Sequence, residues 1–289
     1  MGNLRALRSA GPVADESDPE HYRQEGYAVV RGLFSPSEIA EIAAATDQLY
    51  AEGVDHGRSF RHGNLYYDVP AGADGMPLVR MVQWPSYHQA LMNAVRLDRR
   101  IAGILQPLIG GDLKQIINQV HWKAPSKLGH FAWHQDSRSR RPASAYRNLA
   151  DSYVQTGLAI DRHRTESGCM PFVPRSHLLG DLGMDCSKKA LGTAMTGDAL
   201  SEIGLSEADT IELELDPGDV ALWSPYLVHG SGTNSSDHKR RLYINGYVRT
   251  ADCDRGEWAF RNGQPVPLGR SQALVHYEEL YERPEPHYV

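Results

Sequence analysis

The sequence predicts a mainly β protein of the α+β class, in which helices come first and a β-sandwich or barrel follows. Helical periodicity precedes residue 111, whereas short β-branched runs separated by Gly and Pro turns come after it. This order is typical of helices packed outside one sheet structure. With 289 residues, the chain is long enough to bury a sizeable core.

The N-terminal part is predicted to contain a short helix, a strand and a longer helix. We expect the first helix to start at His21–Glu25, and Tyr27–Arg31 is β-branched, which favours a strand. Ser35 and Glu38 have the spacing of a capping box, and Pro36 suits the first position of the helix that follows.

A second helical region is predicted over Leu91–Ile109, where Pro107 breaks the last turn. A Gly-, Ser- and Thr-rich segment, residues 181–209, is interpreted as a lid-like loop. Strands are expected at Ile116–Trp122, Tyr153–Ile160, Ile211–Leu215, Val220–Ser224 and Leu242–Val248.

Composition excludes several classes of protein. The net charge of −6 and the lack of a long basic run argue against a nucleic acid or an anionic membrane as partner. No apolar run is long enough for a transmembrane helix, and no signal-peptide core is present, so a cytoplasmic location is expected. The three cysteines are too few for a disulfide framework. We expect a monomer or a weak homo-oligomer that acts on a small molecule.

His134 and Asp136 are the first candidates for a functional site. Residues two apart in an extended segment point to the same side, so an imidazole and a carboxylate would meet there. Such a pair is more often solvated on the surface, so a third ligand is needed. His229 follows an apolar strand and precedes a Gly-rich turn. Two histidines and one carboxylate are the facial triad of non-haem Fe(II) oxygenases.

Arg240 follows His229 by 11 residues. A guanidinium can bind a carboxylate through two parallel hydrogen bonds, and Ser231 could add a hydroxyl donor. A solvated basic turn is the more usual role of a pair such as Arg240 and Arg241, and the residues alone leave that alternative open.

Several motifs follow one another in a fixed order. They are His134-x-Asp136, Ser167–His177, Asp216–Asp219, and His229-Gly-Ser-Gly-x-Asn234-x-Ser236 followed by Arg240. This set resembles the phytanoyl-CoA dioxygenase family, whose members are Fe(II)- and 2-oxoglutarate-dependent oxygenases on a double-stranded β-helix, or jelly-roll, core. The resemblance extends over about residues 22–248.

Composition and periodicity, together with the resemblance, predict the organisation of the chain. We expect a polar lead-in over residues 1–20 and a single oxygenase domain over residues 21–289. Within this domain, helices lie mainly in 21–110, a cupin-like jelly-roll core in about 111–250, and an irregular tail in 251–289.

The resemblance also implies roles for individual residues. His134, Asp136 and His229 bind iron, and Arg240 binds the distal carboxylate of 2-oxoglutarate with help from Ser231. Arg241 would replace Arg240 if the register slipped by one residue.

The chain departs from the family pattern at one turn. Arg175 stands where the family usually has Gly, the residue that tolerates a positive φ. Asp136 is retained, unlike in halogenases.

Other residues are weaker candidates. Gln119, His121 and Lys123 share one face of a strand by alternation, and Gln119 is expected to contact co-substrate or substrate. Thr156 on the next strand is expected to reach 2-oxoglutarate. The loop cations, which also suit a solvated loop, could hold an acidic group of the substrate at the mouth of the site; they are Arg138, Arg140 and Arg141.

The predicted function is hydroxylation of an unactivated C–H bond in a small-molecule metabolite or natural-product intermediate. Fe(II), 2-oxoglutarate and O2 are the expected cofactor and co-substrates, and succinate and CO2 the co-products. The alternatives are a cupin-like metalloenzyme that does not use 2-oxoglutarate and a non-catalytic ligand-binding barrel.

Overall fold

The computed structural model describes residues 16–72, 74–125, 130–184, 196–269, 283 and 285–289. Its helices are α1 Pro19–Glu25, α2 Pro36–His56, α3 Ala90–Arg96, α4 Arg99–Ile109, α5 Leu149–Ser152 and α6 Gly197–Glu202. Its strands are β1 Tyr27–Val30, β2 Phe60–His62, β3 Leu65–Asp68, β4 Met81–Gln83, β5 Leu113–Lys123, β6 Phe131–His134, β7 Tyr153–Ala159, β8 Met170–Phe172, β9 Ile211–Leu213, β10 Val220–Trp223, β11 His229–Ser231, β12 Arg240–Arg249, β13 Glu257–Arg261, β14 Gln264–Pro265 and β15 His287–Tyr288.

The strands form two antiparallel sheets. In the described part of the chain, the larger sheet has 11 strands in the order β1-β10-β7-β12-β5-β4-β3-β2-β15, with β13 joined to β5 and β14 to β13. The smaller sheet has four strands in the order β6-β11-β8-β9. The molecule is therefore a mixed α/β protein with large antiparallel sheets, as the helix and strand periodicities predicted.

The two faces of the larger sheet bury different clusters. On the outer face, helices α2 and α4 pack against side chains such as Leu158, Leu222 and Tyr243. On the inner face, Trp223 and Leu242 pack with Phe172 of the smaller sheet. The smaller sheet thus covers the inner face, and polar residues between the sheets, such as His229 and Gln155, are buried.

Local sequence signals explain where α2 begins. The Ser35 side chain accepts a hydrogen bond from the backbone N–H of Glu38, and the Glu38 carboxylate accepts one from the backbone N–H of Ser35. The predicted capping box is therefore confirmed. The helix ends at Gly57, which adopts the left-handed conformation with φ +71°.

Three predictions for the N-terminal part need correction. Helix α1 begins at Pro19 because Asp18 caps it, so its first residues belong to what we expected to be the lead-in. Residues 91–109 form α3 and α4 rather than one helix, because Asp98 caps a new helix, and Pro107 lies inside α4 without ending it. The strands β2–β4 were not predicted; they are only three or four residues long and rely on pairing with β5 through β4.

Two predictions for the later part were also incomplete. The tail is not irregular throughout, since β13 pairs with β5 and β15 pairs with β2. In the expected lid-like loop, α6 forms a short helix, and residues 185–195 lie outside the described ranges. Helix α6 and the strands β13 and β15 depend on partners that lie far away in the sequence. Local sequence patterns do not reveal such partners.

Arg175 adopts the left-handed conformation with φ +67°. This is the position where the family usually has Gly, and the backbone here needs the positive φ that Gly tolerates. An L-residue in this conformation is strained by about 1–2 kcal/mol. None of the described helices is long and apolar enough to cross a membrane.

Candidate metal centre and co-substrate pocket

The three predicted metal ligands come together at the edge of the smaller sheet. His134 ends β6 and His229 begins β11, and the two residues are direct partners in the antiparallel ladder. Their ring centroids are 4.2 Å apart. Asp136 starts the turn after β6, and its Oδ2 lies 3.8 Å from His229 Nε2. One ligand atom from each residue lies within 4.8 Å of the others.

The hydrogen bonds of the two histidines orient them for metal binding. His134 Nδ1 lies 2.8 Å from the Ala132 carbonyl oxygen, and His229 Nδ1 lies 2.9 Å from the Leu227 carbonyl oxygen. Because a carbonyl only accepts, each Nδ1 must carry the proton, which leaves a lone pair on each Nε2. Such bonds fix the tautomer and ring orientation of metal-ligating histidines in general.

The third ligand is held by an indole. Trp223 Nε1–H donates to Asp136 Oδ2 at 3.0 Å, and both side chains are buried. The other carboxylate oxygen faces Arg140, whose Nη2 is 4.0 Å away. Trp223 thereby orients the Asp136 carboxylate through Oδ2, and Oδ1 remains on the side of Arg140.

Burial and neighbouring groups shift the pKa values of His134 and Asp136. Burial, together with the neighbouring His229, lowers the pKa of His134 to about 4. Burial opposes ionisation of Asp136, but its interactions with His229 and Arg140 and the hydrogen bond from Trp223 outweigh burial, so the pKa of Asp136 is lowered. A neutral imidazole and an ionised carboxylate are the forms that bind a metal.

Two buried cations meet beside the triad. Arg240 begins β12 and is the ladder partner of Lys123 at the end of β5. Lys123 Nζ donates to Ser231 Oγ and to the Gly232 carbonyl oxygen. Ser231 Oγ and Arg240 Nη1 both donate to the Gly168 carbonyl oxygen. We call Arg240, Lys123 and Ser231 the cation pocket.

The cation pocket is built on a turn that requires glycine. Gly168 has φ +68°, and a Cβ there would lie 2.6 Å from the Gly232 and Thr233 carbonyl oxygens. The close approach of these backbones places the Gly168 carbonyl oxygen against Arg240.

The positive charges in the cation pocket are costly to bury. Burial, together with the charge of Arg240, lowers the pKa of Lys123 to about 6. Burial also lowers the pKa of Arg240 to about 10. Within the described ranges, Arg240 Nε has no hydrogen-bond partner and no carboxylate lies within 4.0 Å of the guanidinium. A buried, unpaired cation is destabilising unless an anion joins it.

Arg240 and Arg241 lie on opposite faces of β12. Arg241 faces α2 and holds Asp161 through two hydrogen bonds of 2.8 and 2.7 Å, with Asp47 Oδ1 3.1 Å away. Its guanidinium is thus committed to carboxylates of the protein itself. The geometry leaves Arg240, not Arg241, available to an external anion.

The weaker candidates separate in the structure. Gln119 and His121 lie on the inner face of β5 with Lys123, and His121 Nε2 lies 3.0 Å from Gln119 Oε1. Thr156 lies on the outer face of β7, where its hydroxyl donates to the Asn245 carbonyl oxygen at 3.0 Å. The expectation that Thr156 reaches the co-substrate is therefore wrong.

Gln155 is the inner-face residue that the sequence reasoning missed. It is buried, it pairs with Trp223 on β10, and its Oε1 accepts from Arg140 Nη2 at 3.4 Å. Side chains alternate between the two faces of β7, so Gln155 lies on the same face as Ala159. Recognising Ala159 as inward-facing would therefore have identified Gln155 as well.

The three loop arginines have different surroundings. Arg138 is exposed and pairs with Asp181 at 3.0 Å, and Arg141 is exposed and donates to the Arg138 carbonyl oxygen. Arg140 alone is buried beside the triad, with 3% of its side chain exposed.

A cavity of about 190 Å³ lies elsewhere, on the outer face of the larger sheet. Its walls are largely apolar and include Tyr22, Ile104 and Leu222. No residue of the triad or the cation pocket lines it. Metal-binding chemistry and this cavity are thus on different sides of the sheet.

Comparison with known proteins identifies the family. The family model described as phytanoyl-CoA dioxygenase (PhyH) matches residues 22–242, most of the chain. The chain belongs to the phytanoyl-CoA dioxygenase family. The match confirms the family predicted from the sequence. It also confirms the predicted enzyme class, a non-haem iron dioxygenase that uses 2-oxoglutarate.

Individual relatives of the phytanoyl-CoA dioxygenase family are distant. The chain is 26% identical over 253 residues to the dioxygenase lolE1 of Epichloe uncinata, covering 84% of this chain and 86% of that one. It is 26% identical over 232 residues to a probable alpha-ketoglutarate-dependent hypophosphite dioxygenase of Stutzerimonas stutzeri, covering 78% and 76%.

A solved structure shares the fold. The epimerase SnoN, in complex with Fe3+, alpha ketoglutarate and nogalamycin RO, superposes with a TM-score of 0.60 at 21% identity. The match covers 90% of this chain and 94% of SnoN.

Proposed function

We propose that this protein hydroxylates an unactivated C–H bond of a small-molecule metabolite or natural-product intermediate, using Fe(II), 2-oxoglutarate and O2. His134, Asp136 and His229 hold the iron. Arg240 binds the distal carboxylate of 2-oxoglutarate, with Lys123 and Ser231. The observation that carries the proposal is the placement of a buried His-Asp-His triad beside a buried arginine that has no carboxylate partner among the described residues.

The donor set of the triad fits Fe(II). Two imidazoles whose Nδ1 atoms face backbone carbonyls, so that Nε2 is left to a metal, and one carboxylate are the ligands of the facial triad, which leaves other coordination positions open. When bound, iron with 2-oxoglutarate and O2 supplies the oxidising power for C–H hydroxylation and yields succinate and CO2. The chain's own part is to fix these ligands and to exclude water around them.

The cation pocket fits a carboxylate. Arg240 offers its unpartnered Nε, and Lys123 and Ser231 lie beside it in the same pocket. A bound carboxylate would compensate the buried charges of Arg240 and Lys123, which explains why such a costly arrangement exists in the fold. Gln119 on the same inner face is then placed to contact co-substrate or substrate.

The relatives support iron and 2-oxoglutarate rather than a particular substrate. The SnoN complex contains Fe3+ and alpha ketoglutarate, and a relative is named for hypophosphite. We further propose that the two facing sheets form a double-stranded β-helix within one domain of residues 21–289. A monomer or weak oligomer in the cytoplasm stays a prediction.

An anaerobic titration tests the proposal. Purified apoprotein receives Fe(II) with and without 2-oxoglutarate, and a weak charge-transfer band at roughly 500–530 nm reports the chelate at an open facial triad. We expect the band in the wild type and its loss in Asp136→Ala. Asp237→Ala is the matched control, because the Asp237 side chain is fully exposed.

The alternatives give different results. If metal binds but 2-oxoglutarate produces no band, a cupin-like metalloenzyme that does not use 2-oxoglutarate replaces the proposal. If the band forms but a broad panel of metabolites elicits no O2 uptake and no succinate, the chain is a non-catalytic ligand-binding barrel.

A further inference from the structure

Arg140 is a buried cation on the inner side of the site. It follows the turn that Asp136 begins, and only 3% of its side chain is exposed. Its Nη2 lies 4.0 Å from Asp136 Oδ1 and 3.4 Å from Gln155 Oε1, and its Cζ lies 4.9 Å above the Tyr153 ring. The guanidinium is therefore directed at the metal centre rather than at solvent.

Arg140 lies apart from the cation pocket. Gln155, which contacts Arg140, is the ladder partner of Gly246, whereas the cation pocket is at Arg240 on the same strand. These two positions on β12 are six residues apart, which corresponds to about 20 Å along an extended strand. The carboxylate that Arg240 holds is therefore bound far along β12 from Gln155, the residue that Arg140 contacts.

The loaded site would be positive overall. The charges of Fe(II), Asp136 and a 2-oxoglutarate dianion sum to one negative charge, which Arg240 neutralises. Arg140 then makes this group of charges net positive, and protonation of Lys123 adds to it. A positive, water-excluded site favours an anionic substrate because charge interactions are strong where the dielectric constant is low.

A neighbouring hydroxyl adds a hydrogen-bond donor. Within the described part, the Tyr146 hydroxyl is buried with no hydrogen-bond partner, and it interacts electrostatically with Arg140. Burial raises the pKa of Tyr146 to about 12, so it remains a neutral phenol that can donate. A planar guanidinium with an adjacent O–H suits an oxyanion, which accepts several hydrogen bonds at once.

We propose that the primary substrate carries an oxyanionic group, a carboxylate or a phosphonate, that Arg140 and Tyr146 bind beside the metal centre. This inference rests on the proposed function and names the substrate class of the same site. Arg140 orients the substrate through its anionic group, so that a C–H bond on the adjacent carbon skeleton faces the iron.

Binding of simple oxyanions to the loaded protein tests the inference. The anaerobic protein with Fe(II) and 2-oxoglutarate is titrated with acetate and with methylphosphonate, and the charge-transfer band is followed. We expect a saturable change in the wild type, and the tighter of the two probes shows which oxyanion the site prefers. Acetamide and dimethyl methylphosphonate, the uncharged analogues, should leave the band unchanged.

Variants locate the binding residue. Arg140→Gln should weaken oxyanion binding by about tenfold or more, the loss expected for a charge-assisted bidentate pair. Arg140→Lys should retain part of the affinity, and Tyr146→Phe should weaken binding while keeping the charge. Arg138→Gln is the matched control, since Arg138 is exposed and pairs with Asp181.

Three results would count against the inference in different ways. Absence of the band in the wild type overturns the proposed function itself. A normal band that neither oxyanion perturbs overturns the inference alone. If Arg140→Gln weakens Fe(II) binding but leaves oxyanion affinity unchanged, Arg140 positions Asp136 and does not bind substrate.

Discussion

Exchanging Arg240 or Arg241 for methionine should affect two different properties. Both side chains are buried and adjacent in sequence, but Arg240 faces the triad side and Arg241 holds Asp161 on the opposite face. Methionine keeps an unbranched, flexible side chain and removes the charge. We expect Arg240→Met to weaken 2-oxoglutarate binding and Arg241→Met to destabilise the fold.

The structure gives the size of each effect. Arg240 can donate to a carboxylate from Nε and Nη2, because Nη1 is occupied by the Gly168 carbonyl oxygen. Two charge-assisted hydrogen bonds contribute about 3–4 kcal/mol, so the Kd for 2-oxoglutarate should rise roughly 10²- to 10³-fold. Arg241→Met leaves Asp161, whose side chain is largely buried, without its bidentate partner, which costs about 2–3 kcal/mol.

Two assays separate the effects. The Kd for 2-oxoglutarate comes from the anaerobic charge-transfer titration, and the free energy of unfolding comes from urea denaturation of the apoprotein. Arg240→Met should be as stable as the wild type or more so, because it removes a buried charge. A larger rise in Kd for Arg241→Met than for Arg240→Met would refute the reasoning, as would an unchanged Kd in Arg240→Met.

Three further predictions follow from other contacts. The Lys123 pKa of about 6 means that its ammonium is lost as pH rises through 6, so 2-oxoglutarate should bind more tightly at pH 6 than at pH 8. Isothermal titration should show that the Kd for 2-oxoglutarate no longer depends on pH in Lys123→Met. A pH dependence as steep as that of the wild type would contradict this prediction. Trp223→Phe removes the donor to Asp136 Oδ2, and Fe(II) affinity should fall by roughly 10- to 100-fold in equilibrium dialysis, whereas full affinity would show that the bond is dispensable. Arg175→Gly should raise the free energy of unfolding by about 0.5–1 kcal/mol in urea because it relieves the positive φ, and Arg175→Ala, the control, should give no such gain.

The sequence predicted the candidate metal ligands because their signal is local and chemical. His134 and Asp136 are two residues apart, and His229 lies between an apolar run and a Gly-rich turn. Alternation likewise predicted that Gln119 and Lys123 share a face, and the register of β5 places both on the inner side. These arguments need only the period of a strand.

Other features depended on contacts that no local pattern contains. Thr156 and Gln155 are equally plausible in sequence, and only the packing of β7 between β10 and β12 shows which one faces inward. Arg240 and Arg241 are distinguished by Asp161, about 80 residues away along the chain. The strand β13 pairs with β5, about 140 residues earlier in the chain, and no local pattern shows that pairing.

His134 and His229 are paired in one rung of a ladder, so the spacing of their imidazoles does not depend on the loops that follow. The distance between the imidazoles is set by backbone hydrogen bonds of β6 and β11, not by the connections that leave these strands. The loops after residue 136 and around residue 181 can therefore lengthen, shorten or exchange residues while the two rings keep their spacing. Residues in these loops can therefore change without altering the spacing of the two imidazoles.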